Sequence, residues 1–433
     1  MRILLLTAAV EKQLLCAHQR REVAVERVAA RIVTDVRRRG DSALFAWAKK
    51  LDDVELRSDS VWVSRDEMRA AARNVSREFL RAVKHAARNV HRVAEKQLPR
   101  PWRLEVEPGV RVGQIVRPME TIGCYIPGGR HALVSTLVMT VVPAKVATVG
   151  RIVVVCPRPN SELLAAAGLL GITEIARIGG AQAIGALAYG TASVPQVEKI
   201  FGPGNRFVTA AKHLVSSDCA IDLPAGPTEA IVLARRGNPR WIAADLLAQA
   251  EHAPDAGSFL VTTSKVLAKR VQIEIEEQLQ RFPGTNPVHA SIRRTGAIVL
   301  APSRGAACDF VNRFAPEHLS LPDDASILLK KCRAAGTVFL GPWAAQPLGD
   351  YASGSNHVLP TAGWARRRGG LSATDFVKCI SVQSIGRLGF SRLAEDVQAL
   401  ARAEGLLAHS NAVKVRAPMS ARLPAVKQIK RYR

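Results

Sequence analysis

Hydrophobic residues in the first hundred positions recur three or four apart, which is the spacing of amphipathic helices. The first such run ends at Gly40 and comprises Val25, Val28, Ile32 and Val36. A second run begins after Ser64 and Glu67, a pair typical of a capping box, and the region ends at Pro99 and Pro101. The pattern predicts a helical N-terminal region.

From about residue 121 the pattern changes to short runs of β-branched residues, separated by lengths of chain suited to helices. These runs are Ile152–Cys156, Glu174–Ile178, Glu229–Leu233, Phe259–Thr262 and Ala297–Leu300. Such alternation is typical of parallel sheets covered by helices. We therefore expect an α/β fold with two Rossmann-like, doubly wound domains, one inserted in the other.

Candidate domain boundaries follow from changes in residue pattern along the chain. The stretch 220–228, with prolines around Gly226, is typical of a crossing between two domains. We expect a larger domain over 1–123 and 228–372, a smaller inserted domain over 124–227, and a C-terminal helical segment over 373–433 that ends in a basic tail. Within the larger domain, residues 341–370 show no clear period, and long irregular segments of this kind are often functional.

Composition narrows the class of protein. The chain has 433 residues, of which 48% are hydrophobic and 23% charged, so disordered and low-complexity classes are excluded. No run approaches the length of a membrane span. The seven cysteines form no Cys-x-x-Cys pair, which favours reduced thiols and a cytoplasmic location.

The net charge of +24 raises the alternative of a nucleic-acid-binding or interaction protein. Two observations make nucleic acid an improbable partner. The basic residues are spread over the amphipathic N-terminal helices, at spacings typical of solvated faces, and aromatic residues suited to base stacking are only 5% of the chain.

Two pairs of adjacent or facing side chains are candidates for chemistry. Gln249 and His252 are three apart near the end of a predicted helix, so they share a face and suit a divalent metal. Glu317 and His318 place a carboxyl group beside an imidazole after an apolar helix, which suits acid–base catalysis. For each pair the alternative is a structural one, a helix-end histidine satisfied by hydrogen bonds or a surface Glu-His dipeptide.

Two further pairs each combine a carboxylate with an imidazole. Asp350 and His357 lie in the irregular segment, where backbone can wrap around a ligand. Glu404 and His409 lie at the end of the last helix, and their alternative reading is a solvated helix end. None of the four pairs is decisive alone.

Three glycine-rich turns follow predicted strands and precede predicted helices, where backbone N–H groups can hold phosphate. They are Pro127-Gly128-Gly129, Gly179-Gly180-Ala181-Gln182 and Gly202-Pro203-Gly204-Asn205. Phe207 stands where the third glycine of a dinucleotide fingerprint would be, and no Walker lysine is present. Only the clustering of three such turns in one α/β unit indicates nucleotide binding.

Taken together and in order, these motifs resemble the histidinol dehydrogenase family. The matching segments are Tyr125-Ile-Pro-Gly-Gly, Gly179-Gly-Ala-Gln-Ala-Ile, Gly202-Pro-Gly-Asn205, Asp222-Leu-Pro-Ala-Gly-Pro-Thr-Glu229, Gln249-Ala-Glu-His252, Ala315-Pro-Glu-His318, Gly349-Asp-Tyr and Asn356-His-Val-Leu-Pro-Thr361. The resemblance implies a zinc-dependent, NAD-linked enzyme that oxidises L-histidinol through L-histidinal to L-histidine, in the last two steps of histidine synthesis.

The resemblance also implies roles for individual residues. The implied zinc ligands are Gln249, His252, Asp350 and His409. The implied substrate contacts are these four together with Thr228, His318, His357 and Glu404. The implied NAD contacts are Tyr125, Gln182 and Asn205, and Glu317 with His318 is the implied acid–base pair. The family is a homodimer with an exchanged C-terminal tail, so Glu404 and His409 are expected to act in the partner's site.

The chain departs from the family pattern at several positions. Arg130-His131-Ala132, Ser355 and Arg367-Arg368-Gly369 replace other residues, and Thr228 stands for the usual serine while keeping a hydroxyl. These changes leave open a paralogue that oxidises another small alcohol. A rival mechanism, in which the Cys124 thiolate attacks the aldehyde, is disfavoured because Cys124 lies in an apolar strand without an evident base.

Overall fold

The computed structural model describes residues 1–18, 22–128, 132–223 and 226–417. The altered residues Arg130 and His131, and most of the basic tail, lie outside these ranges. The chain forms two compact units, the first made of residues 1–98 and 118–377 and the second of residues 99–117 with those that follow 377.

The strands of the described residues are β1 (Arg2–Leu5), β2 (Trp102–Glu107), β3 (Val110–Pro118), β4 (Thr121–Tyr125), β5 (Arg151–Val155), β6 (Ile175–Ala176), β7 (Lys199–Phe201), β8 (Ala220–Ile221), β9 (Glu229–Leu233), β10 (Gly257–Thr262), β11 (Ala297–Leu300), β12 (His318–Leu321), β13 (Thr337–Leu340) and β14 (Val377–Ile385).

The α-helices of the described residues are α1 (Ala8–His18), α2 (Val23–Arg39), α3 (Asp41–Asp52), α4 (Arg65–Arg73), α5 (Arg77–Gln97), α6 (Val134–Val146), α7 (Ser161–Leu169), α8 (Gly180–Tyr189), α9 (Arg206–Val215), α10 (Pro239–Glu251), α11 (Lys265–Leu279), α12 (Pro287–Arg294), α13 (Arg304–Phe314), α14 (Ala325–Lys331), α15 (Gln346–Tyr351), α16 (Arg387–Ala403) and α17 (Leu407–Lys414). Short 3₁₀ turns cover Trp364–Arg366 and Ala373–Phe376.

The first unit contains two parallel sheets, which confirms the α/β class. The larger has the order β1-β11-β10-β9-β12-β13 and the smaller the order β6-β5-β4-β7-β8. Strands β9 and β10 are buried along their whole length, as expected for parallel strands covered on both faces. In each sheet the chain winds outward in both directions from an inner strand, β9 in the larger sheet and β4 in the smaller.

One strand lies in the N-terminal region that the sequence predicts to be helical. Arg2–Leu5 forms β1, which pairs in parallel with β11 at the edge of the larger sheet. The prediction of helix there was wrong because a short apolar run is compatible with either structure. The partner that decides between them lies far along the chain.

The N-terminal helices pack on the helices of the smaller sheet. Helix α2 contacts α8 and α9, α4 contacts α7, and α5 contacts α6. The predicted capping box of α4 is present, with Ser64 and Glu67 exchanging hydrogen bonds between side chain and backbone. On the larger sheet, α10 packs against α11, α12 and α15.

The second unit contains a three-stranded sheet of order β14-β3-β2, in which β2 and β3 are antiparallel, and the helix pair α16 and α17. Its strands leave several large apolar side chains exposed, among them Trp102, Leu104, Ile380 and Val382.

All seven cysteines are free thiols, and five of them are buried. Among the described residues, none of the helices is both long enough and apolar enough to cross a membrane.

Candidate functional site at facing sheet edges

The amino-terminal edge of the larger sheet gathers several of the predicted residues. Thr228 precedes β9 and Glu317 precedes β12, and these two strands are parallel neighbours. Glu317 Oε2 accepts hydrogen bonds from Thr228 Oγ1 at 2.5 Å and from the Glu229 backbone N–H at 3.0 Å. The sheet register therefore places the Glu317 carboxyl group beside the Thr228 hydroxyl.

Glu317 and His318 form a buried acid–base pair. His318 Nδ1 lies 3.7 Å from Glu317 Oε2 and 3.2 Å from the Glu229 carbonyl oxygen. Burial raises the pKa of Glu317 to about 7, although His318 and the Thr228 hydroxyl act in the opposite direction. Burial alone would lower the pKa of His318, but the carboxylates of Glu317 and Asp350 outweigh it and raise that pKa.

The second ring nitrogen of His318, Nε2, is a candidate for contact with a ligand. His318 Nε2 is buried and has no hydrogen-bond partner among the described residues, while Asp350 Oδ1 lies 3.6 Å away. A buried polar atom without a partner is uncommon and calls for a ligand or a catalytic role. Nε2 is therefore the atom of His318 that a ligand or a proton would occupy.

Gln249, His252 and Asp350 meet where α10 and α15 pack together. Asn238 caps α10 and Pro239 begins it, so Gln249 falls in the last turn and His252 ends the helix. His252 Nε2 lies 3.9 Å from Asp350 Oδ2, and Gln249 Nε2 donates to Thr228 Oγ1 at 2.9 Å. This set is joined to Glu317 through the Thr228 hydroxyl.

The ionisable groups of this set have pKa values shifted by burial and by one another. Burial alone would raise the pKa of Asp350, but the three imidazoles of His318, His357 and His252 hold it below its usual value. Burial lowers the pKa of His252 and of His357, which keeps both rings neutral at higher acidity. His357 Nδ1 lies 2.7 Å from the Asp350 carbonyl oxygen.

These side chains fit a zinc ion. A neutral imidazole, a carboxylate and an amide oxygen are ligands that zinc accepts, and burial favours the neutral, coordinating form of His252. Among the described residues, no group of three or more His, Cys, Asp or Glu side chains is placed to hold a metal ion. Gln249 and a fourth ligand would therefore be needed to complete the site.

The predicted cofactor contacts lie at the carboxyl-terminal edge of the smaller sheet. Tyr125 ends β4, and its hydroxyl accepts a hydrogen bond from the Gly180 N–H at 3.2 Å. Gln182 is fully buried in α8, where its Nε2 donates to Asp52 Oδ2 at 2.8 Å and its Oε1 has no partner among the described residues. Asn205 is exposed and caps α9, accepting from the backbone of Phe207 and Val208.

A cavity of about 1040 Å³ connects the two edges. Thr228, His252, Glu317 and His357 line it on the side of the larger sheet, and the turn Gly202–Asn205 lines it on the side of the smaller one. Along the sequence, β8 ends at Ile221 and β9 begins at Glu229, so the two sheets are joined by few residues. A substrate and an extended cofactor can therefore occupy one continuous space.

Glu404 and His409 belong to the second compact unit. Glu404 is the residue that ends α16, His409 lies in α17, and both are exposed.

Sequence reasoning missed two partners of the site, the buried Gln346 and the half-buried Asp52. Gln346 Nε2 donates to Gln249 Oε1 at 2.5 Å, and Asp52 accepts from Gln182. Gln346 is four residues before Asp350 on α15, a spacing that would have indicated a shared face had that helix been recognised. Asp52 carries no local signal, because its contact with Gln182 depends on the packing of α3 against α8.

Cys124 is fully buried, and burial raises its pKa to about 12. A thiol with so high a pKa is a poor nucleophile at neutral pH. The rival mechanism through this cysteine is disfavoured by its surroundings.

Comparison with known proteins accounts for these observations. The family model described as histidinol dehydrogenase matches residues 16–417. The histidinol dehydrogenase of Methanosarcina mazei is 43% identical over 89% of this chain and 90% of its own, and that of Aquifex aeolicus is 43% identical over 91% and 93%. The crystal structure of histidinol dehydrogenase from Elizabethkingia anophelis superposes with a TM-score of 0.91 at 36% identity, covering 96% of this chain and 98% of its own. The chain belongs to the histidinol dehydrogenase family.

Proposed function

We propose that this protein oxidises L-histidinol, through L-histidinal, to L-histidine, with two NAD consumed for each histidine formed. The observation that carries the proposal is the buried Glu317–His318 pair, which faces Asp350 and Thr228 beside the cavity that extends to the turn Gly202–Asn205. Family membership supplies the substrate, and this geometry supplies groups able to act on it. A cytoplasmic location is part of the proposal.

When bound, zinc supplies a charge that holds the substrate's amine and imidazole nitrogens, and NAD supplies the acceptor for the hydride. Gln249, His252 and Asp350 would hold the metal together with His409 from a second copy of the chain. We propose a homodimer for this reason, with Glu404 of the second copy contacting the substrate. Thr228 and His357 would contact the substrate from within the chain.

His318 is the proposed general base. Its unpartnered Nε2 takes the hydroxyl proton of the alcohol as the carbon loses its hydride, which leaves the aldehyde. Glu317 then takes a proton from water, whose oxygen adds to the aldehyde carbon, while His318 passes the proton it holds to the aldehyde oxygen. This gives a gem-diol and leaves His318 unprotonated. The gem-diol again has a C–H bond and an O–H group, so His318 takes a second hydroxyl proton as the hydride leaves, and the resulting carboxylic acid ionises to the carboxylate.

Tyr125, Gln182 and Asn205 are proposed to contact NAD. The unpartnered Oε1 of Gln182 offers a hydrogen-bond acceptor, and Asn205 lies at the start of α9 on the cavity wall. Backbone N–H groups at a helix start favour phosphate.

The test of the proposed function is NADH formation from L-histidinol, with and without a metal chelator. We expect two NADH for each histidine, loss of activity after chelation and recovery on adding zinc. One NADH per turnover would instead indicate a paralogue that oxidises an alcohol to an aldehyde. No NADH from histidinol would contradict the proposal.

The separate roles of Glu317 and His318 can be tested with Glu317→Gln. This variant should slow oxidation of added L-histidinal far more than the first oxidation of L-histidinol, because only the second requires water activation. Equal losses in the two half-reactions would contradict the division of roles.

A further inference from the structure

A buried ion pair lies next to the cofactor side of the cavity and has no part in the chemistry proposed above. Lys212 in α9 pairs with Asp222, which follows β8. Their side chains are 4% and 0% exposed. Burying two charges costs solvation energy that their mutual attraction often fails to regain, so an apolar pair could stabilise the fold equally well. The presence of the buried Lys212–Asp222 pair therefore calls for an explanation other than stability.

The two charged groups hold both polar groups of one glycine. Lys212 Nζ donates to the Gly202 carbonyl oxygen at 2.8 Å, and the Gly202 N–H donates to Asp222 Oδ2 at 2.7 Å. Gly202 has φ of 107°, and a Cβ at this position would lie 2.1 Å from the Tyr125 carbonyl oxygen. The backbone at Gly202 is therefore fixed by hydrogen bonds and by close contact with Tyr125.

Asp222 is itself anchored from two sides. Its Oδ1 accepts from the Leu223 N–H at 2.7 Å, and the Arg368 guanidinium donates to its carbonyl oxygen. Arg368 also pairs with Asp375 at 2.9 Å. Arg368 thus links Asp222 to Asp375, so the segment 367–369 reinforces the anchoring.

We propose that Lys212 and Asp222 are positioning residues for the dinucleotide, a role that rests on the proposed use of NAD. By fixing Gly202 they hold the turn Gly202–Asn205 and the start of α9 in the shape that receives the cofactor's phosphates. The turn lines the cavity, and Asn205 caps α9 through the Phe207 and Val208 N–H groups. The pair acts through the backbone it holds and need not touch the cofactor.

The test compares KM for NAD with KM for histidinol in the full-length, zinc-loaded enzyme. Lys212→Met should raise KM for NAD about tenfold or more, because a small displacement of a binding turn has effects of this size. KM for histidinol and kcat at saturating NAD should stay within about twofold of the wild-type values. Lys212→Arg, which keeps the charge, should recover part of the affinity for NAD.

A matched control is Arg304→Met. Arg304 pairs with Asp324 away from the cavity, so this variant also removes one cation from an ion pair. Its KM for NAD should equal that of the wild type.

A double variant separates positioning from folding. Lys212→Met alone leaves Asp222 as an unpaired buried charge and can unfold the protein. Lys212→Met with Asp222→Asn removes both charges of the pair, so thermal stability should recover while KM for NAD stays high. If the single variant does not fold, the double variant decides.

Two results would overturn the inference. One is an unchanged KM for NAD in the folded variants, even with a lowered melting temperature, because the pair would then be structural only. The other is an equal rise of KM for both substrates. A wild-type enzyme that reduces no NAD would instead overturn the proposed function, and the positioning role with it.

Discussion

The two parallel sheets of the first unit have the same kind of winding but present opposite edges to the cavity. In the smaller sheet the winding reverses between β4 and β7, and the cavity adjoins the carboxyl ends of these strands at Gly202. In the larger sheet it reverses between β9 and β12, yet Thr228 and Glu317 precede these strands at their amino ends. Ligands of open α/β sheets usually bind at the carboxyl ends where the winding reverses. Only the smaller sheet follows this rule.

At the carboxyl-terminal edge of the larger sheet, a side chain of the chain itself binds backbone N–H groups. After β12, the Asp323 carboxylate accepts from the Arg236 N–H at 2.9 Å and from the Arg235 N–H at 3.3 Å, beyond the end of β9. These successive N–H groups are the kind that bind an anion. An internal carboxylate therefore takes up N–H groups that could otherwise bind an anion. The larger sheet is left to present catalytic side chains from its other edge.

The largest expected effect comes from the amino-terminal edge of the larger sheet. His318→Gln should lower kcat on the order of a thousandfold, since it removes the proposed base of both oxidations. Steady-state NADH formation measures the loss, and circular dichroism checks the fold. A loss below about tenfold would mean that this edge does not hold the chemistry.

The next largest effect is the pH dependence of stability that the buried Glu317 carboxyl group produces. The folded protein raises the pKa of Glu317 from 4.5 to about 7, so the folded state binds its proton more tightly than the unfolded chain does. The resulting stability is fully present below pH 4.5 and is lost as the pH rises to about 7. The loss is about 3 kcal/mol for a shift of this size.

Glu317→Gln should remove this dependence, because the amide does not titrate and keeps an oxygen for the Thr228 and Glu229 hydrogen bonds. The melting temperature of the variant minus that of the wild type should therefore increase from pH 5 to pH 8. Parallel melting curves across this range would contradict the raised pKa.

Part of the strand pattern was predictable from the sequence, because some buried parallel strands form short apolar runs, such as Glu229–Leu233. Strand β1 was not predictable in this way, since only its pairing with β11 distinguishes it from the start of a helix. Helix α15 was missed for a similar reason. It is one short segment with glycine and proline inside an irregular stretch, and its packing against α10 supports it.

The site could be predicted in pieces but not as a whole. Helical spacing places Gln249 and His252 on one face, and chain adjacency joins Glu317 to His318. The approach of Asp350 to His318 and His252 depends on tertiary packing, which local patterns do not contain. The family resemblance supplied that grouping, because motif order carries information about three-dimensional neighbours.

A smaller effect is expected at the carboxyl-terminal edge of the smaller sheet. Asn205→Ala should raise KM for NAD about tenfold and lower stability by about 1 kcal/mol through loss of the α9 cap. Asn160→Ala is the matched control, because Asn160 caps α7 of the same sheet by accepting from the Leu163 N–H. The control should lose similar stability and keep its KM for NAD. If both variants bind NAD equally, the smaller sheet does not present its cofactor site at this edge.

The smallest effect is expected at the carboxyl-terminal edge of the larger sheet, where Asp323 accepts its hydrogen bonds. Asp323→Ala removes the acceptor for the Arg235 and Arg236 N–H groups, which solvent can partly replace because this hydrogen-bonded group is exposed. Stability should fall by about 1 kcal/mol or less, and kcat and both KM values should stay within about twofold of the wild type. A large loss of activity would place function at this edge too and remove the contrast between the sheets. Unchanged activity, beside the loss in His318→Gln, would show that a sheet with the winding of a nucleotide-binding domain can carry catalytic side chains at its amino-terminal edge instead.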